Sequence, residues 1–73
     1  IAYRATGEAR LRARFERAKA EGDLPETADC AILAAFVMAV THGIAVQAKA
    51  GFPRAVLQAV AEQALSGWPR SDR

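Results

Sequence analysis

Apolar and polar residues alternate along this chain at helical spacing, with no sustained period of two. Leu11, Phe15 and Ala18 stand four and three residues apart, so on a helix they form one narrow apolar stripe. Ile1 and Ala5 extend the stripe backwards, with a gap at Glu8. Arg4, Arg10, Arg12, Arg14, Arg17 and Lys19 occupy the other faces. This predicts a helix over residues 1–21, with Glu8 and Arg12 as a surface pair one turn apart. Gly22 supplies a left-handed end and Pro25 blocks continuation.

A second helix is predicted over residues 30–50, capped by Asp29 or Thr27 and closed by Gly51. Its first half is apolar on nearly every side, from Ala31 through Val40. A helix apolar all round must be covered all round. One side runs Leu33, Phe36, Val37, Val40, Gly43, Ile44, Gln47, and another Ile32, Ala35, Met38, Ala39, His42, Ala45, Val46. A third helix is predicted over residues 53–66, with Pro53 at its first position and Val56, Leu57, Val60, Ala61, Ala64 and Leu65 along a broad apolar stripe. Gly67 and Pro69 end it, and Trp68 is placed to pack back on the last turn.

The expected class is all-α: three sequential helices joined by short links, hence antiparallel neighbours. Two neighbours cannot easily cover a helix like the second. The simplest cover is the same hairpin from another chain, giving an intermolecular four-helix bundle. Gly43 points the same way. Glycine inside a helix costs about 1 kcal/mol against alanine, which is easiest to understand where another backbone comes close. The alternative cover is other helices of the same protein.

Composition narrows this further. The 73 residues are 52% hydrophobic, but only 7% aromatic, and alanine makes up roughly a quarter of them. Small side chains bury little area each, and a chain this short is marginal alone. Ten basic residues against eight acidic leave a net charge of +2, too slight to imply nucleic acid. The longest uninterrupted apolar run, Cys30 to Val40, is too short to span a bilayer. No membrane partner is expected. The single cysteine cannot build a disulfide framework or a cysteine-rich metal site, and a lone thiol suits a cytoplasmic setting. No nucleophile–base set, paired metal-ligand motif or phosphate-cradling loop stands out, so neither an enzyme nor a cofactor or metal site is expected. The chain opens without a starting methionine or cap, which reads as the C-terminal part of a longer protein.

Three segments resemble the tetracycline-repressor (TetR/AcrR) family of regulators. Arg14-Phe15-Glu16-Arg17-Ala18-Lys19-Ala20-Glu21-Gly22-Asp23-Leu24-Pro25 is similar to a charged helix end followed by that family's Gly-Glu/Asp-Leu-Pro loop. His42-Gly43-Ile44-Ala45-Val46-Gln47-Ala48-Lys49-Ala50-Gly51 resembles a recurring segment of its penultimate helix. Val60-Ala61-Glu62-Gln63-Ala64-Leu65-Ser66-Gly67-Trp68-Pro69 resembles its closing helix and Trp-Pro end. Two positions depart from the pattern: Cys30 stands where many relatives have proline, and Phe52-Pro53 replaces a more usual Ser or Thr cap.

The resemblance implies the last three helices of a regulatory domain that dimerises and often holds a small-molecule effector. The N-terminal helix-turn-helix domain that contacts DNA is absent from this chain. It implies a homodimer interface at Phe36, Val40, Gly43, Ile44, Gln47, Leu57, Val60, Ala61 and Ala64. Effector contacts in the full-length protein would fall to Tyr3, Leu11, Phe15, Met38 and His42. The function expected is therefore dimerisation and effector coupling in a transcriptional repressor. The alternative is a stand-alone helical dimerisation or protein-interaction module with no DNA role. His42, Cys30 and the basic run from Arg10 to Arg17 carry plainer readings as well: a packed histidine, an inert thiol, and a solvated face that winds around its helix.

Overall fold

The computed structural model describes residues 2–70, with side chains described from residue 7 onward. The described residues form three helices and no strand: α1 (Ala2–Ala20), α2 (Cys30–Lys49) and α3 (Arg54–Ser66). The boundaries fall within a residue or so of those expected from the pattern.

Local chemistry explains each end. After α1 the Gly22 N–H bonds the Lys19 carbonyl at 3.2 Å, and the Asp23 N–H reaches back to Ala18 at 2.9 Å. This pair of bonds is a Schellman closure, and it needs the left-handed backbone that Gly22 adopts at φ 89°. The end of α2 repeats the device. Gly51, at φ 94°, donates to Ala48, and Phe52 donates to Gln47, both at 3.1 Å.

Asp29, not Thr27, caps α2. Its Oδ1 accepts from the N–H groups of Ala31 and Ile32 at 3.1 Å each, and its carbonyl accepts the first intrahelical bond from Leu33. Asp29→Ala leaves two N–H groups without that acceptor. It should lower stability by about 1 kcal/mol, visible as a lower midpoint in urea unfolding followed by circular dichroism. An unchanged midpoint would remove this cap from the account.

Pro53 does not take the first helical turn as expected. It sits one step earlier as the N-cap residue, with extended ψ of 148° and no side-chain cap. Proline has no side-chain acceptor, but its carbonyl still accepts from Val56 and Leu57 at 3.0 and 3.1 Å. At the far end the Trp68 N–H bonds Leu65 at 3.0 Å, and Gly67 keeps a negative φ of −97°.

The chain divides into two compact units. The first holds residues up to Val37 together with the segment from Pro69, and the second runs from Met38 to Trp68. The five buried residues among those described all lie in the first unit: Leu24, Ala28, Cys30, Leu33 and Ala34. Leu24 and Ala28 belong to the loop, which is therefore packed and not a loose link. Lys19 Nζ ties α1 to that loop by donating to the Ala28 carbonyl at 3.0 Å.

The second unit contains the C-terminal part of α2, the turn at Gly51 and α3. None of its residues is buried.

Candidate functional site

The apolar surface that these helices leave uncovered is the feature most in need of a function. Ile32, Phe36, Val46, Phe52, Val56, Val60 and Leu65 are all exposed, with Ile32 at 65% and Leu65 at 60%. Five of these seven belong to the second unit, the one without a buried residue. An α-hairpin in that state has apolar surface but no core of its own.

The expected interface residues divide by position. Phe36 and Val60 are exposed and available. Val40, Gly43, Ile44, Leu57, Ala61 and Ala64 are half-buried already within the single chain. Leu57, Ala61 and Ala64 share one face of α3 at four- and three-residue spacing, which turns that face inward and leaves Val56 and Val60 outward. Gln47 is also half-buried. Its Oε1 is enclosed and accepts no hydrogen bond among the described residues. An enclosed acceptor without a donor costs about 1–3 kcal/mol, so the lone hairpin does not satisfy this side chain.

Gly43 gives a sharper result than the sequence could. A Cβ built there meets nothing within 4 Å, and its φ is not positive. No neighbour inside the chain and no backbone strain calls for glycine at that place.

Of the expected effector contacts, Leu11 and Phe15 lie half-buried on one face of α1 in the first unit. Met38 is half-buried and His42 exposed, both in the second unit. The side chain of Tyr3 lies outside the described residues. Among the described residues no group of three or more His, Cys, Asp or Glu side chains could hold a metal ion.

The basic run winds around α1: Arg12 lies on the side opposite Arg10, and all four arginines of the run are exposed. Arg10, Arg14 and Arg17 recur at four- and three-residue spacing and are all exposed, so they share one face. Glu21 closes that stripe with a 3.1 Å bond from Arg17, the one ion pair among the described residues. The expected Glu8–Arg12 pair does not form.

Cys30 is 3% exposed. Burial pushes its thiol above the ordinary range. The Glu16 carboxylate adds to this and takes a hydrogen bond from the thiol, while Lys19 pulls the other way. A raised thiol carries less thiolate at neutral pH and is a poor nucleophile. Iodoacetamide at pH 7 should therefore alkylate Cys30 at least about tenfold more slowly in the folded chain than in urea, followed by mass spectrometry. Equal rates would mean that the thiol is open.

α2 invites comparison with a membrane span. Its uninterrupted apolar run is short, but all 20 residues taken together are long and apolar enough to cross a bilayer by length and composition alone. Lys49 is its only charged residue.

Comparison with protein-family models, curated proteins and solved structures finds no match to this chain.

Proposed function

We propose that this chain is the dimerisation and effector-coupling segment of a TetR-type transcriptional repressor that works in the cytoplasm as a homodimer. DNA contact would belong to a helix-turn-helix domain outside these residues. One observation carries the reading: the α2–α3 hairpin exposes Val46, Phe52, Val56, Val60 and Leu65 and has no buried residue of its own. A second hairpin against it is the simplest way to complete a core, and it makes an intermolecular four-helix bundle. The three family-like segments lie at the Gly22 closure with packed Leu24, along the Gly43–Gly51 end of α2, and over the last turns of α3.

The mechanism is a shift between conformations. The two hairpins act as a fixed base. An effector held by helices above that base favours one separation of the DNA-binding heads over another, and operator affinity changes by the difference. No catalytic step is involved. Sedimentation of the intact protein, with gel retardation on the DNA upstream of its own gene, tests the reading. A dimer that retards that DNA supports it. A dimer with no helix-turn-helix and no retardation moves the function to a stand-alone interaction module. A monomer at high concentration removes the shared core altogether.

A second reading rests on α2 alone, whose 20 residues match a bilayer core about 30 Å thick. Three things weigh against it. Cys30, Leu33 and Ala34 are already buried in the first unit. Thr41, His42 and Gln47 are polar groups that hydrocarbon would penalise. The exposed residues of α3 would also remain uncovered. Flotation with phosphatidylcholine vesicles decides it: the protein stays at the bottom of the gradient if the dimer is right, and rises with the lipid if α2 inserts.

A further inference from the structure

The turn that joins α2 to α3 carries an exposed aromatic ring between two cations. Phe52 is 45% exposed. Val46, in the last turn of α2, and Val56, in the first turn of α3, are exposed as well. Lys49 closes α2 and Arg54 opens α3, and both are exposed. All five belong to one compact unit, Met38 to Trp68. Glu62 is that unit's one carboxylate, and it stands about 12 Å along α3 from Arg54. The turn also occupies its own backbone donors. The N–H groups of Ala50, Gly51 and Phe52 bond Val46, Ala48 and Gln47 at 3.0, 3.1 and 3.1 Å, and Pro53 has no N–H. Pro53 gives α3 no side-chain cap either, so the N–H groups that open α3 take no side-chain acceptor from it.

We propose that this turn docks on an anionic lipid surface, with Phe52 in the upper acyl layer and Lys49 and Arg54 at the headgroup phosphates. Each feature has its counterpart there. Such a surface is a layer of negative charge over an apolar interior, and the turn presents an apolar end with cations beside it. Apolar surroundings penalise an unpaired backbone N–H, and none from Ala50 to Pro53 is unpaired. Lysine and arginine keep their charged ends in the headgroup layer while their stems lie along apolar groups. The start of α3 favours a phosphate as well. An acidic protein would match the two cations, but it would also need a pocket shaped to the ring, whereas fluid lipid needs none. The depth is that of an interfacial contact, so α2 does not cross the bilayer and Thr41, His42 and Gln47 stay out of hydrocarbon. The inner leaflet that faces a cytoplasmic protein carries the required negative charge. This contact goes beyond the dimer proposed above and does not depend on it.

Flotation of the intact protein tests the contact, with vesicles of phosphatidylcholine alone and of phosphatidylcholine mixed with phosphatidylserine. Two cations at the charged surface should raise partition onto the mixed vesicles roughly 30-fold at low salt, and high salt should erase most of that gain. Lys49→Gln combined with Arg54→Gln should abolish the preference for mixed vesicles. Phe52→Ser should lower binding about fivefold. All three side chains are exposed, so circular dichroism should show the helices intact in these variants. Binding to mixed vesicles that survives the turn variants, or that falls further with Arg10→Gln and Arg14→Gln, would place the contact elsewhere and overturn the proposal. No flotation with either vesicle would overturn it and leave the dimer standing. Equal flotation with both vesicles at any salt would show insertion of α2, which overturns this contact and the dimer reading together.

Discussion

Gly43→Leu should raise the helicity of the single chain and at the same time drive the dimer apart. These opposite signs come from one fact: a side chain added at Gly43 meets nothing inside the chain and needs no unusual backbone. Leucine is a far better helix former than glycine, so α2 in the monomer should gain about 0.8 kcal/mol. Ordinary helix-stabilising substitutions shift folding and association together. In the proposed dimer a four-carbon side chain would enter the space that a second backbone would fill. Interfaces that close over a small residue lose contact on both sides when it grows, so the dimer dissociation constant should rise at least about 100-fold, or ~2.7 kcal/mol. Sedimentation equilibrium reads the association, and circular dichroism at a concentration where both proteins are monomeric reads the helix. An unchanged dissociation constant would mean that Gly43 faces solvent in the assembly and that the shared core lies elsewhere. Loss of helicity would contradict the open space found around it.

The three helices were legible from the sequence because their ends carry strong local signals. Gly22 and Gly51 adopt the left-handed closures, and Asp29 makes the cap, through bonds between near neighbours in the chain. Such chemistry does not depend on tertiary packing. The inward face of α2 was not legible, for the converse reason. With Ala31 through Val40 apolar all round, the pattern has no polar side to mark the outside. Within the first unit, only the burial of Cys30, Leu33 and Ala34 fixes which side of α2 remains open there. The exposed positions of α2 therefore include Phe36 from one expected face, and Ile32, Ala39 and Val46 from the other. The expected interface set has the same weakness on α3. Leu57, Ala61 and Ala64 have the right spacing for a contact, but the single chain already half-covers them. Pro53 was misplaced by one step because its missing N–H suits two adjacent positions equally, and the extended ψ that separates them is not written in the sequence. The packing of the loop left its trace only in a single leucine between charged and turn-forming neighbours.

Leu24→Ala should therefore be among the most damaging substitutions in the chain, although it lies in a nine-residue connection outside any helix. Loops seldom carry core residues, but Leu24 is 6% exposed, and among the described residues Leu33 is the only other buried side chain of its size. The remaining core positions, Ala28, Cys30 and Ala34, are small and contribute little area each. Removing three carbons from a buried leucine costs about 2–5 kcal/mol, while a chain of this length has on the order of 4–11 kcal/mol in all. The loss should appear as a fall in the thermal midpoint of about 10 °C or more, measured at one fixed protein concentration because association shifts the midpoint too. Ile32→Ala makes the informative contrast. It removes the same number of carbons from a side chain that is 65% exposed, so it should leave the melting of the monomer almost unchanged and weaken only the dimer. If Leu24→Ala were as mild as Ile32→Ala at a concentration where both are monomeric, the loop would be a passive link. The first unit would then have to be held by something other than the Leu24–Leu33 core.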